Sequence, residues 1–111
     1  MPNGYGTSSD ERIKTNIKTI ENALEKTLLL RGVEYNDFRI EPDKKRIGLI
    51  AQEVELIIPE VVGEGEMDKI KHISYGPLVG LLIEAIKDQQ KQINELKNIL
   101  KNKNLYKYNN E

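Results

Sequence analysis

Apolar residues recur every three or four positions at Ile13, Ile17, Ile20, Leu24 and Leu28, a spacing that places them on one face of a helix. The pattern predicts an amphipathic helix beginning near Asp10, with Gly32 as its C-terminal stop. Val33-Glu34-Tyr35 and Phe38-Arg39-Ile40 alternate, and predict two short strands around an Asn36-Asp37 turn. After the polar turn Glu41 to Lys45, Ile47-Gly48-Leu49-Ile50 reads as a short buried strand running into a helix over Gln52 to Ile58, which Pro59 closes. Val61-Val62-Gly63 and Ile70 to Ile73 flank a Gly/Glu turn and are expected to pair as a hairpin.

The C-terminal third carries the clearest pattern. Val79, Leu82, Ile86, Gln89, Ile93, Leu96 and Leu100 alternate in steps of three and four, which is a heptad seam. A helix packed on its own domain accounts for such a seam as well. However, the stretch after Asp88 is so polar outside the seam that parallel self-association is the favoured reading. Ile at a with Leu at d leans toward two strands, with Gln89 as a polar d position. The architecture expected is α+β, mainly helical: a small globular part with short strands, then a long C-terminal helix. The segments are 1–8, a Gly/Pro/Asn-rich linker; 9–75, the globular part; 76–103, the coiled-coil helix; and 104–111, a polar tail.

Composition narrows the function. The chain has 111 residues, 38% hydrophobic and without Trp, so it is one domain with a thin core that gains burial by oligomerising. Lys and Arg number 17 against 18 Asp and Glu, which argues against a protein held on nucleic acid by phosphate neutralisation. No cysteine is present for disulfides or thiolate metal sites. There is no secretory signal pattern, and the longest near-apolar stretch, Leu78 to Ile86, is too short to span a membrane. His72 is the only histidine and lacks a second ligand at metal spacing; no phosphate loop is present. No metal and no cofactor are expected.

What remains for chemistry is Ser9 with Lys14, at the point where the Gly-rich lead gives way to the charged segment. Five residues along a continuous helix turn the two side chains about 140° apart. They meet only if Ser9 sits on a turn just before the helix and Lys14 reaches back. The plain alternative is capping: Ser8 or Ser9 as N-cap, with Ser8 and Glu11 spaced as a capping box. Gly48 to Val54 is a second point of interest, where Gly48 permits close backbone approach and Gln52 and Glu53 can line a polar site; an ordinary strand-to-helix junction is the favoured explanation from the residues alone.

Taken in order, Ser9-Asp10-Glu11-Arg12-Ile13-Lys14-Thr15-Asn16-Ile17, Ala23-Leu24 to Val33, Gly48 to Val54 with Pro59-Glu60-Val61-Val62, and Tyr75 with Leu81 to Lys87 resemble the peptidase S74 family. This is the C-terminal intramolecular chaperone domain of bacteriophage tail spikes, tail fibres and neck appendages, with related modules in a membrane-tethered transcription factor. The resemblance covers Ser9 to about Leu100. It implies a homotrimer, its long helix a trimeric coiled coil, that assembles and folds an upstream fibre or spike segment of the same polypeptide. It further implies release by autoproteolysis at Ser8-Ser9, a single turnover in cis, with Ser9 as nucleophile and Lys14 as general base. Asp10, Arg12, Gly48, Gln52 and Glu53 take supporting roles. The place implied is a virion tail or fibre precursor made in host cytoplasm, with the cleaved domain released.

A lysine at its ordinary pKa of about 10.4 cannot take the serine proton at neutral pH. Reaching the useful range of about 7–8 requires burial worth roughly 4 kcal/mol. Closure of three chains is the expected source. The rival expectation is a non-catalytic coiled-coil trimerisation module whose Ser9 is only a helix cap; a DNA-binding homodimer fits the charge balance poorly.

Overall fold

A computed structural model describes residues 6–103. Three helices are numbered here: α1 (Ala23–Leu28), α2 (Ala51–Glu55) and α3 (Gly76–Asn102). Four strands accompany them: β1 (Val33–Tyr35), β2 (Arg46–Gly48), β3 (Val62–Glu64) and β4 (Lys71–Ile73). The fold is therefore α+β, a small part with short strands followed by one long C-terminal helix. The polar tail 104–111 lies outside the described residues.

The N-terminal segment departs from the expected helix. A single 3-10 turn, Glu11–Ile13, is followed by extended chain, and α1 begins only at Ala23. Asn16 and Asn22 adopt left-handed backbone, φ 54° and 57°, a conformation that asparagine tolerates and a helix cannot contain. Thr15, Ile17, Thr19 and Ile20 are β-branched and stiff at χ1, which lowers helix propensity across the gap. Ile20 reaches α3, its Cδ1 lying 3.6 Å from the position a Cβ on Gly80 would take, while staying 40% exposed.

Strands β1 and β2 pair antiparallel, Val33 opposite Gly48 and Tyr35 opposite Arg46. The expected second strand at Phe38–Ile40 is instead a turn. Asp37 Oδ1 accepts from Arg39 N at 3.0 Å and its carbonyl accepts from Ile40 N at 3.1 Å, the local closure by which Asp outcompetes a ladder. Ile47 is 78% exposed rather than buried. Helix α2 ends at Glu55, earlier than expected, and Pro59 opens a further 3-10 turn, Pro59–Val61. The expected second hairpin is present: β3 and β4 pair antiparallel with Val62 opposite Ile73.

Ala23, Val54, Val61, Leu78, Leu81 and Ala85 form the core, with Leu24, Leu30, Leu49, Ile58, Val62 and Ile73 packed against it. Helix α3 contributes Leu78, Leu81 and Ala85 from one stripe. At about 100° per residue, the heptad seam forms a neighbouring stripe roughly a quarter turn away. Among the described residues that second stripe is exposed, Ile86 at 64% and Leu96 at 59%. Asp88 continues the inner stripe and its Oδ2 accepts from Leu24 N at 3.4 Å, serving α1 where Asn22 makes no side-chain cap.

Candidate functional site

Asp10, rather than Ser8 or Ser9, caps the N-terminal turn. Its Oδ1 accepts from Arg12 N at 2.8 Å, and its backbone carbonyl accepts from Ile13 N at 3.1 Å. The capping-box alternative is corrected accordingly: Ser9 lies just ahead of the cap and is not a helix cap. The turn reverses the chain after one round, and Lys14 returns to extended backbone at φ −110°, ψ 143°. Lys14 is thereby folded back over the preceding residues. Its Nζ donates to Ser9 Oγ at 2.6 Å.

Asp10 and Arg12 form a two-point clasp beside this pair, with Arg12 Nε on Oδ1 at 3.1 Å and Nη2 on Oδ2 at 2.9 Å. The side-chain hydrogen bond from Arg12 holds the Asp10 carboxyl below the usual carboxylate range and raises the guanidinium in turn. Every residue from Ser8 to Asn22 is exposed, so the chain by itself supplies the contact without walls around it. The amides of Arg12, Ile13 and Lys14 are already committed to Asp10 and Glu11, which removes them as donors to a developing oxyanion.

The other sequence candidates lie in a different cluster, and no hydrogen bond joins them to Ser9 or Lys14. Gly48 sits where backbone passes close to aromatic side chains: a Cβ there would meet Tyr75 Oη at 2.7 Å and Tyr35 Cε1 at 3.3 Å. Tyr75 Oη accepts from Leu49 N at 3.0 Å, tying the end of β2 to the start of α3. Glu53 takes a bidentate pair from Arg31, at 3.2 Å and 2.6 Å. Gln52 is exposed, lining a shallow hollow with Tyr35, His72 and Tyr75. The His72 imidazole lies across Gly63 of the paired strand, its Cε1 2.6 Å from where a Cβ would stand.

Sequence reasoning missed Tyr75 as the tie between halves and Asp88 as the acceptor for α1. Asp88 had a readable signal: it is an acidic residue in register with Leu78, Leu81 and Ala85. Among the described residues no three acidic or histidine side chains converge as a metal site, and no helix is long and apolar enough to cross a membrane.

Residues 9–63 match the family described as the chaperone of endosialidase, Peptidase_S74, so the matched region begins at Ser9 itself. The chain is 37% identical over 105 residues to the Long tail fiber protein Gp37 of Enterobacteria phage K3, covering 89% of this chain and 8% of that protein. It is 38% identical over 96 residues to the Gp37 of Enterobacteria phage M1, covering 80% of this chain and 38% of the relative. With Gp37 of Salmonella phage S16 the identity is 37% over 103 residues, 85% of this chain and 14% of the relative. The chain thus spans well under half the length of each of these fibre proteins. On the match that starts at the motif serine and the shared sequence that runs on into α3, it belongs to the peptidase S74 family, the chaperone domain of phage tail fibre proteins.

Proposed function

We propose that this chain is an intramolecular chaperone that trimerises, aligns an upstream fibre segment of the same polypeptide, and then frees itself by cutting the Ser8–Ser9 bond. The observation that carries the reading is the 2.6 Å contact from Lys14 Nζ to Ser9 Oγ, made in the stretch where the family match begins. Two further features support assembly. The seam on α3 is exposed along its length, and among the described residues the core holds only six buried apolar side chains.

The reaction uses the chain's own atoms. With its amine neutral, Lys14 accepts the hydroxyl proton as Ser9 Oγ attacks the carbonyl carbon of Ser8. The C–N bond to Ser9 then breaks, the amine leaves with the proton carried by Lys14, and an ester links Ser8 to Ser9 Oγ. Water hydrolyses that ester, giving a Ser8 carboxylate and restoring the Ser9 hydroxyl. A neutral amine requires loss of solvent around the ammonium, which the exposed single chain does not provide. Closure of neighbouring copies around residues 9–17, where Ile13 and Ile17 flank Lys14 and are 65% and 67% exposed, supplies it. Cleavage is thus coupled to assembly.

The test uses the chain with its upstream fibre segment attached. Ser9→Ala and Lys14→Ala assemble as trimers by light scattering yet remain full-length on a denaturing gel, whereas the parent yields a fragment whose mass begins at Ser9. Cutting at the parent rate in either variant refutes the dyad. Processing by a demonstrated monomer refutes the coupling.

A further inference from the structure

We propose that Asp10 is a positioning residue for self-cleavage, acting through the turn that returns Lys14 to Ser9; the inference rests on the dyad reading above. Five residue steps of extended chain carry a backbone about 17 Å, beyond the span at which Lys14 and Ser9 side chains meet. One tight turn removes that separation. Asp10 supplies both acceptors at its start, the carbonyl to Ile13 N at 3.1 Å and the carboxylate oxygen to Arg12 N at 2.8 Å.

Among the described residues no core packing holds this turn. None of its residues is buried, and the extended stretch beyond it includes left-handed Asn16, so no regular helix locks it from the C-terminal side. Its other backbone bond is Lys14 N to Glu11 O at 3.2 Å. A turn without core packing depends on its hydrogen bonds, and a side-chain cap is the part that substitution can remove. The Arg12 guanidinium adds a second ring on the same carboxylate. That side chain is 88% exposed, where an ion pair contributes little. The cap acceptor, rather than the negative charge, is the working feature of Asp10.

The experiment compares Asp10→Asn, Asp10→Ser, Asp10→Thr, Asp10→Gly and Asp10→Ala in the full chain carrying its fibre segment. Single-turnover cleavage is timed in purified, assembled oligomer. The rates follow capping quality: Asn and Ser retain most of the parent rate, Thr and Gly fall between, and Ala is slower by about two- to thirty-fold. The pH profile of Asp10→Asn keeps the parent's shape, because Asp10 exchanges no proton in the reaction. Parent-like cleavage in Asp10→Ala overturns the proposal, as does an Asn variant as slow as Ala, which would assign the effect to the carboxylate charge. Should the Ala variant fail to assemble, the order among Asn, Ser, Thr and Gly decides, and equal rates in all four overturn it. If Ser9→Ala and Lys14→Ala are inert while Asp10→Ala cuts normally, only the positioning role is lost; if those two also cut, the dyad itself falls.

Discussion

Gly48→Ala tests how the two halves of the chain are joined. A methyl group at this position would arrive 2.7 Å from Tyr75 Oη and 3.3 Å from Tyr35 Cε1. Both separations are too short, and Tyr75 cannot simply withdraw without releasing Leu49 N, to which it is bonded at 3.0 Å. Overpacking of this kind costs about 1–3 kcal/mol. Loss of the Leu49–Tyr75 hydrogen bond adds about 0.5 kcal/mol, the low end of the usual range because the bond is exposed. A total of about 2 kcal/mol lowers the melting temperature by roughly 8–16 °C in a domain this small. The assay is thermal melting in the Ser9→Ala background, so that cleavage does not complicate the transition. Tyr75→Phe removes the oxygen that the methyl strikes, so the double variant is more stable than the sum of the single losses by about 1 kcal/mol. A Gly48→Ala protein that melts with the parent, or strictly additive losses, refutes the close-approach argument.

The two stripes of α3 separate by substitution. Leu81→Ala empties a buried site and costs about 2–5 kcal/mol of fold stability by urea titration, whereas Ile86→Asp with Ile93→Asp leaves the helical circular dichroism in place and abolishes association in sedimentation. Alkaline stability follows Lys71, whose pKa is raised chiefly by its hydrogen bond to Glu55, with Glu64 assisting. Its contribution is fully present below the unfolded value near 10.4 and is lost as pH rises through the folded value, so Lys71→Gln flattens the fall in urea midpoint above about pH 10.4. Acid stability runs in the opposite direction. Asp37 is lowered mainly by the Arg39 side chain, so its contribution stands above the unfolded value near 3.9 and is lost as pH falls through the folded one. Asp37→Asn makes the decline below about pH 4 shallower.

Long-range pattern was the readable part of this sequence. The seam predicted α3, because a helix spanning Gly76–Asn102 leaves many turns over which a period can repeat. The β3–β4 hairpin was readable because polar turn residues separate two β-branched runs. Short elements were not, since one or two side-chain hydrogen bonds decide them. Asp37 closing on Arg39 turned an apparent strand into a loop, and Asp10 capping Arg12 displaced Ser8 and Ser9 from the cap. The apparent helix from Asp10 failed for a similar reason. Its apolar spacing was genuine, but Thr15, Ile17 and Thr19 also alternate as extended chain does, and two asparagines supply the left-handed kinks. Of the site, the residue types of the pair were legible, while the turn that brings them together rests on a cap assigned one or two positions away.

The Ser9–Lys14 contact bears on what assembly contributes under the proposed function. In the single chain Lys14 Nζ lies 2.6 Å from Ser9 Oγ, and in the proposed reaction the amine has to accept a proton from that same oxygen. Proximity is therefore already present in the single chain. Apolar cover favours a neutral amine, and Ile13 and Ile17, which precede and follow Lys14 in sequence, are unburied in their own chain. The outer stripe of α3 is unburied in the same way. Under the proposed function, a single association that covers both surfaces brings apolar cover to the same 2.6 Å contact without moving the two side chains toward each other.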